Sequence, residues 1–297
     1  MTVRPERTAS IEASVRFLNN TSHFDAGRDE ISRRKWDGAW WHMSALCEMG
    51  EAGRIPAVAV EQARKLLLTR VWPRFVIRAE DAPSRSEDLD LWDCCHCELA
   101  VFYKILSDCG CDLDTDMPWI RDWLLSHQLP DGGLNCDADA YLHSRKSSIV
   151  STLPPLEAIL HHTHRPFTQQ EQHFLDEGAR YLIEHRLVCA SGSGKVINEE
   201  WLKPCFPRFF EYDLLRGLNY LTAWSRKQEQ ALPDGFVEEA LARIGPYLDE
   251  NGDGGYRVRI GRQVWDPDGE WGGETFELLE ALPGVGEVSD CLNIEPY

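Results

Sequence analysis

The densest group of reactive side chains lies in residues 92–98, where three thiols, one imidazole and two carboxylates occur within one short segment. Thiolate, imidazole and carboxylate are the groups that bind Zn²⁺ in proteins, often with a fourth position left open for chemistry. Two alternatives stay open. The cysteines could pack as small hydrophobic side chains, or Cys95 or Cys97 could be a nucleophile activated by His96.

Helical spacing predicts which of these side chains lie together. If a helix runs through residues 93–97, Asp93 and Cys97 share one face, as do Cys94 and Cys97. Cys95 then points elsewhere. The residues alone leave open which set would bind a metal.

A second group of polar side chains alternates along residues 136–143, which read Cys-Asp-Ala-Asp-Ala-Tyr-Leu-His. In an apolar mouth, desolvation would raise the pKa of Asp137 or Asp139 and make either one a general acid. The alternative is a polar turn with Asx-type hydrogen bonds. A third candidate is the pair Tyr212–Asp213, in which the ring could stabilise a cation or the pair could cap its helix.

The composition narrows the class of protein. Hydrophobic residues make up 43% of the 297 positions and include eleven tryptophans, enough for a large buried core. The net charge of −18 argues against binding to nucleic acid or to an anionic membrane, since both need a basic surface. Residues 1–10 lack the apolar core of a signal peptide, and no apolar run reaches the roughly 20 residues that span a bilayer. We therefore expect a cytoplasmic protein with no integral membrane segment, whose ten cysteines are reduced.

A helical unit that recurs about every 55 to 60 residues must position these groups. Apolar inner helices are predicted over residues 40–50, 95–110, 147–160, 211–224 and 272–282. Amphipathic outer helices are predicted over residues 8–20, 57–72, 117–129, 171–187 and 234–250. Because one pair cannot bury its own apolar face, the repeat predicts an all-α toroid or solenoid. Pro154 and Pro155 predict that the third inner helix starts at Thr152 or is kinked.

The turn at residues 128–134, Gln-Leu-Pro-Asp-Gly-Gly-Leu, resembles the Q-x-x-D-G-G-W turn of the alpha/alpha-toroid superfamily. That superfamily contains squalene and terpene cyclases and the beta subunits of protein prenyltransferases. Residues 253–256 resemble the turn more weakly. The chain resembles more closely the uncharacterised bacterial proteins labelled squalene-cyclase-like, through residues 40–46, 129–137, 147–160 and 209–221.

This resemblance implies an alpha/alpha toroid of about five to six helix pairs, with the inner helices around a central cavity. No linker or shift in composition divides the chain, so a single toroid domain over residues 1–297 is expected. Class II terpene cyclases carry an Asp-x-Asp-Asp acid motif at the start of an inner helix, and the matching residues 145–148 contain no acid. Residues 112–116 resemble the motif by letter, but their position before an outer helix predicts helix capping.

The resemblance also implies a metal site. The pair Asp93-x-Cys95 is similar to the Asp-x-Cys zinc pair of protein prenyltransferases, in which a histidine from a later inner helix completes the site. The corresponding positions here, 149–150, are Ile and Val, which cannot bind zinc. His143 is then the expected third ligand, with residues 136–137 as alternatives. Zinc is therefore the predicted cofactor, and no nucleotide cofactor is expected.

If the inner helices run parallel, their amino ends meet at one mouth of the cavity, which suits a small-molecule site. The side chains expected to bind substrate there are Trp40, Trp41, His42, Trp271 and Glu274. Catalytic roles are predicted for Asp137, Asp139, Tyr212 and Asp213.

The predicted function is that of an enzyme, similar to terpene cyclases or prenyltransferases, which acts on a small, largely apolar, isoprenoid-like substrate by cyclisation or group transfer. Two alternatives are a non-catalytic toroid that binds a ligand or a peptide, and a glycan-active enzyme with an acidic, tryptophan-lined mouth. Two carboxylates facing each other at about 5 Å or 6.5–9.5 Å would favour the last.

Overall fold

The computed structural model of the protein describes residues 5–24, 38–73, 92–250, 255–264, 282–289 and 291–294. Most of these residues are helical, which confirms an all-α chain in its secondary-structure content. The toroidal arrangement of the helices stays a prediction.

The α-helices of the described residues are α1 (Pro5–Leu18), α2 (Ala39–Glu48), α3 (Ala57–Arg70), α4 (His96–Asp108), α5 (Leu113–Asp116), α6 (Trp119–Ser126), α7 (Ile149–His162), α8 (Gln169–Glu184), α9 (Leu214–Gln228) and α10 (Phe236–Ile244). A π-helical turn spans Ala140–Ser144, and 3-10 turns span Thr21–Phe24, Ala52–Arg54, Glu199–Leu202 and Gly245–Tyr247. The short strands are β1 (Val71–Pro73), β2 (Trp92–Cys94), β3 (Leu248–Glu250), β4 (Tyr256–Arg259) and β5 (Val288–Ser289).

Nine of the ten predicted helices lie where the apolar pattern placed them, and residues 272–282 fall outside the described part of the chain. The prediction for the end of the last outer helix was wrong. α10 stops at Ile244 instead of reaching residue 250. Gly245 and Pro246 follow, and both have low helix propensity; proline also lacks the N–H that a helical hydrogen bond needs. Residues 248–250 form β3 instead, which pairs antiparallel with β4.

The third inner helix does not have the later start that was one of its two predictions, and the kink stays a prediction. α7 begins at Ile149, not at Thr152, and it continues through Pro154 and Pro155. Both prolines lack an N–H, so they leave the carbonyls of the preceding turn without their usual helical donors. Apolar burial compensates, since Leu153, Pro154 and Pro155 all lie in the core.

The chain divides into two compact units. The first contains Met1–Trp123, Pro207–Phe209 and Trp265–Leu282, and the second contains Leu124–Phe206, Phe210–Val264 and Pro283–Tyr297. In the first unit α2 packs against α1 and α4, and α3 also packs against α4. In the second unit α7 packs against α8 and α9, α9 packs against α10, and β3, β4 and β5 form an antiparallel sheet.

Burial separates the predicted inner helices from the outer ones. The side chains of α4 and α7 are buried on nearly every face, as the continuous apolar sequence of each requires. In contrast, α3 and α10 bury only one stripe of residues each. A buried ion pair joins α7 to α9, where the Arg216 guanidinium donates to both oxygens of Glu157 at 2.8 and 2.7 Å.

Candidate metal-binding thiol site

The cysteine-rich segment lies where a short parallel strand pair leads into α4. β2 pairs with β1, with Pro73 opposite Cys94, and the chain then turns into α4 at His96. Cys95 is the N-cap of that helix and has an extended backbone, with φ −85° and ψ 171°. It is therefore the last non-helical residue before α4, and Cys97 lies in the first helical turn.

The sulfur atoms of Cys95 and Cys97 lie 3.2 Å apart, close enough for one thiol to donate to the other. Cys95 is half-buried, whereas Cys97 is only 8% exposed. The Cys94 thiol is also buried and donates to the Cys95 carbonyl at a sulfur–oxygen distance of 3.5 Å. Two of the three adjacent thiols thus form a close pair at the amino end of a helix, with one member accessible from solvent.

The prediction that helical spacing separates Cys95 from Cys97 was wrong. Helical spacing does not apply to residues 93–95, because β2 ends at Cys94 and Cys95 is an extended cap. The extended backbone of Cys95 allows its side chain to fold back toward the first turn. The Asp93 backbone lies in β2, and its side chain, a predicted zinc ligand, lies outside the described part of the structure.

Two other polar side chains lie at the start of α4. His96 is 1% exposed and its ring centroid is 6.5 Å from that of Trp123. Glu98, 9% exposed, lies in the first turn, where a carboxylate is favoured by the positive end of the helix dipole. The same dipole stabilises a thiolate, which is the form of cysteine that binds metals.

The carboxyl end of α4 holds a second thiol group. Cys109 is the C-cap of α4, and its hydrogen bond with the Cys47 thiol of α2 is the largest cause of a raised pKa at Cys47. Burial and the nearby Asp108 carboxylate raise the pKa of Cys47 further. Burial also raises the pKa of Cys111. The thiolate forms of Cys47 and Cys111 are therefore both disfavoured.

The predicted catalytic loop lies in the second unit and is exposed. Asp137 and Asp139 are both exposed, so the desolvation on which their predicted role depends is not found. Asp137 Oδ1 accepts the Asp139 N–H at 3.0 Å, an Asx-type bond that corresponds to the alternative polar turn. His143, the predicted third zinc ligand, is 74% exposed in its side chain and lies 2.9 Å from Asp139 Oδ1 through its Nδ1 atom. Cys136 is half-buried and its N–H donates to Ser151 Oγ at 3.1 Å.

The predicted catalytic pair Tyr212–Asp213 is buried at the start of α9. The Tyr212 hydroxyl donates to the Leu187 carbonyl at 2.7 Å, and burial raises the pKa of this tyrosine well above its ordinary value. Asp213 is the N-cap of α9 and accepts the Arg216 N–H at 2.8 Å. Its second oxygen accepts the N–H of Cys205 at 3.2 Å. The capping alternative is confirmed for Asp213.

The predicted substrate-binding side chains of α2 belong to the hydrophobic core of the first unit. Trp40 and Trp41 are 2% and 1% exposed, with ring centroids 4.2 Å from Phe102 and 5.0 Å from Phe209, respectively. His42 is fully buried, with Nδ1 3.1 Å from Ser14 Oγ. Their burial assigns these three residues to core packing. Trp271 and Glu274, also predicted to bind substrate, lie outside the described residues.

The two motifs that resemble toroid enzymes have structural roles. Asp112 is the N-cap of α5 and accepts the Thr115 N–H at 3.1 Å, which confirms the capping prediction. In the turn at residues 128–134, Gln128 Nε2 donates to the carbonyls of Gly132 and Phe174, both at 2.8 Å. The Asp131 carboxylate accepts from both the N–H and the hydroxyl of Ser147, just before α7.

Sequence reasoning missed Cys97 as the partner of Cys95. A recognisable pattern was present, because an extended N-cap cysteine followed two positions later by another cysteine brings two thiols to one helix start. The contact between Cys47 and Cys109 was also missed, since it joins two helices that are far apart in sequence.

No helix in the described ranges is long and apolar enough to cross a membrane. The similarity to toroid enzymes stays a resemblance at the level of motifs. No protein-family model matches this chain, and neither the curated proteins nor the solved structures include a match to it.

Proposed function

We propose that this protein binds a thiophilic metal ion, Zn²⁺ first of all, through Cys95 and Cys97 at the amino end of α4. The observation that carries the proposal is the 3.2 Å separation of the two sulfur atoms. Two thiols held this close already have most of the geometry that a shared metal ion would impose.

The separation can be compared with that of a zinc site. With Zn–S bonds of about 2.3 Å and tetrahedral angles, two thiolates on one ion lie about 3.8 Å apart. The Cys95 and Cys97 sulfurs would therefore need to separate by only about 0.6 Å, a change that small side-chain rotations supply. The amino end of α4 adds a favourable field for the negative charge of both thiolates.

Two thiolates fill half of a tetrahedral zinc ion and leave positions for other ligands, such as water or a substrate. A zinc ion with an open position is the type that supplies chemistry, since it polarises a bound oxygen and lowers the pKa of bound water to about 7. Cys94 is the poorest thiol candidate for a further ligand, because it is buried and its S–H donates to the backbone.

The reaction that such a site would serve is proposed, from the sequence resemblance alone, to be group transfer to or cyclisation of a small apolar, isoprenoid-like substrate. The exposed positions of Asp137 and Asp139 do not support a buried general acid, so the cysteine pair is the better candidate for the reactive centre. A non-catalytic binding protein and a glycan-active enzyme remain the alternatives, and both predict a protein that does not need zinc.

Metal content tests the proposal directly. The protein is purified without added metal and without a polyhistidine tag, and zinc is measured per chain by mass spectrometry of the elements. We expect one zinc ion per chain in the wild type and its loss in both Cys95→Ser and Cys97→Ser.

Cys47→Ser and Cys109→Ser are the matched controls, because they alter the thiols at the other end of α4, and both should keep the metal. The proposal is wrong if the reduced wild type fails to take up zinc even from added ZnCl₂. It is equally wrong if both Cys95→Ser and Cys97→Ser retain the ion.

A further inference from the structure

We infer that the same Cys95–Cys97 pair, when it holds no metal, is a redox-active dithiol that closes to an internal disulfide by exchange with a small-molecule disulfide. The inference rests on the residue pair of the proposed function, but it needs no bound metal. It depends on the distance between the two sulfurs, on the backbone around Cys95 and on the unequal exposure of the two thiols.

The distance between the two sulfur atoms lies between that of a disulfide and that of two thiolates bound to one zinc ion. A disulfide bond is about 2.05 Å long, so the sulfurs at 3.2 Å must approach by about 1.2 Å. Rotation about the Cα–Cβ bonds of both residues can supply this movement. The Cys95 N–H lies outside the helical hydrogen-bond ladder, so rotation about its N–Cα bond leaves the first bond of α4, from the Leu99 N–H to the Cys95 carbonyl, in place.

The two thiols differ in exposure in the way that sequential exchange requires. Cys95 is the more exposed of the two thiols and the one that a dissolved disulfide meets first, whereas Cys97 is only 8% exposed. Cys95 is therefore the attacking thiol and Cys97 the resolving thiol. Cys94, although adjacent, is buried and directed to a backbone carbonyl, so it does not compete with Cys97.

The exchange balances in two steps. The Cys95 thiolate attacks one sulfur of the small disulfide, which forms a mixed disulfide and releases one small thiolate. The Cys97 thiolate then attacks the Cys95 sulfur, forms the internal bond and releases the second small thiolate. The protein loses two electrons and two protons in all, and the small disulfide is reduced to two thiols.

Oxidation and metal binding exclude one another at this site, because a sulfur in a disulfide has no thiolate to offer a metal ion. A disulfide that closes so short a loop is strained, and strain makes it readily reducible. The pair would therefore release its metal under oxidising conditions and recover it under reducing ones.

The test uses full-length protein that has been treated with a chelator and a reductant and then exchanged into oxidised glutathione at pH 8. Thiols are counted after denaturation, and the peptide that contains residues 95–97 is examined by mass spectrometry. We expect the wild type to lose two thiols without retaining glutathione, with both lost thiols on this peptide. Reductant should restore both.

Variants separate the two steps. Cys97→Ser should stop at a stable glutathione adduct on Cys95, and Cys95→Ser should form the adduct at least ten times more slowly than Cys97→Ser does. Cys97→Ala and Cys95→Ala repeat the test without a buried hydroxyl, and circular dichroism selects the folded variants. Cys47→Ser should behave as the wild type.

The inference is overturned if the wild type accumulates the same stable adduct as Cys97→Ser, or if the new disulfide joins Cys47 to Cys109. The two proposals fail separately. A protein that binds zinc in its reduced form but never closes the disulfide refutes only the redox inference. A protein that closes the disulfide but takes up no zinc refutes only the proposed function.

Discussion

The two ends of α4 each carry a pair of thiols, but they place those thiols in opposite electrostatic environments. At the amino end, Cys95 and Cys97 lie 3.2 Å apart, at the positive end of the helix dipole. At the carboxyl end, Cys109 meets Cys47 of α2 beside Asp108, and the pKa of Cys47 is raised. The helix dipole thus favours a thiolate at the amino end, whereas the surroundings of Cys47 oppose one at the carboxyl end.

A cluster of cysteines in a sequence therefore does not by itself identify a reactive site. What separates the two pairs is the field of the backbone and the charge of the neighbours. Asp108 also has a raised pKa, mainly because of burial, so the negative forms of both Asp108 and Cys47 are disfavoured near the carboxyl end of α4. Four measurements test this difference between the two ends of α4.

The largest expected effect is in alkylation rate. At pH 7.5, iodoacetamide should modify Cys95 about 100 times faster than Cys47, because only the thiolate reacts and the raised pKa of Cys47 keeps it as a thiol. Timed quenching followed by peptide mass spectrometry gives both rates in one sample. Equal rates at the two ends would remove the contrast.

The second largest difference is expected in how the alkylation rate of Cys47 depends on pH. The pKa of Cys47 is raised above its usual 9.0, so its thiolate fraction is very small at pH 8 and keeps rising with pH without levelling off near 9. Its alkylation rate should therefore climb about tenfold per pH unit from 8 to 10, without a plateau. A plateau below pH 9 would show that the environment of Cys47 does not oppose its charge.

A smaller effect is expected from Asp108→Asn. The Asp108 carboxylate raises the pKa of Cys47, so its removal should lower that pKa and increase the alkylation rate of Cys47 at pH 8 by about threefold. Asp122→Asn, which removes an exposed acid from α6, is the matched control and should change nothing. A threefold increase in the control as well would point to net charge in place of the local contact.

The smallest effect is expected in stability, because removing one thiol at either end of α4 should lower the free energy of unfolding by a similar amount. Cys97→Ala removes a buried sulfur and Cys47→Ala a half-buried one, each at a cost of about 1 kcal/mol in the free energy of unfolding. Thermal denaturation should show losses of about 2–4 °C in each. A loss several times larger at one end would mean that its thiol holds the packing of α4.

Most of the helices could be predicted from the sequence because their apolar residues follow a helical period over long stretches. The continuous apolar run of α7 outweighed two interior prolines, and the expectation of a later start failed for that reason. The helix predicted over residues 234–250 shows the opposite case, because it ends earlier than its apolar pattern indicates. There Gly245 and Pro246 end the α-helix, and residues 248–250 pair with β4 as a strand.

The candidate site could be predicted only in part. The segment was found from residue types, but the pairing of Cys95 with Cys97 depends on the residue at which α4 begins. A shift of one residue in that boundary changes Cys95 from a helical residue to an extended cap and changes its neighbours. The exposure of Asp137 depends on how its loop packs, which neither spacing nor composition encodes.

The turn at residues 128–134 has a consequence for comparing proteins. Gly132 has a φ of +97°, and a side chain there would collide with the Glu177 carbonyl, so the position demands glycine for its shape. Gln128 and Asp131 bond to neighbouring backbone and to Ser147, and none of these bonds needs a bound molecule. The turn is thus a structural connection that fixes how one helix follows another. The same turn in another protein would therefore indicate how two helices are connected there. It would not indicate which residues, if any, are catalytic.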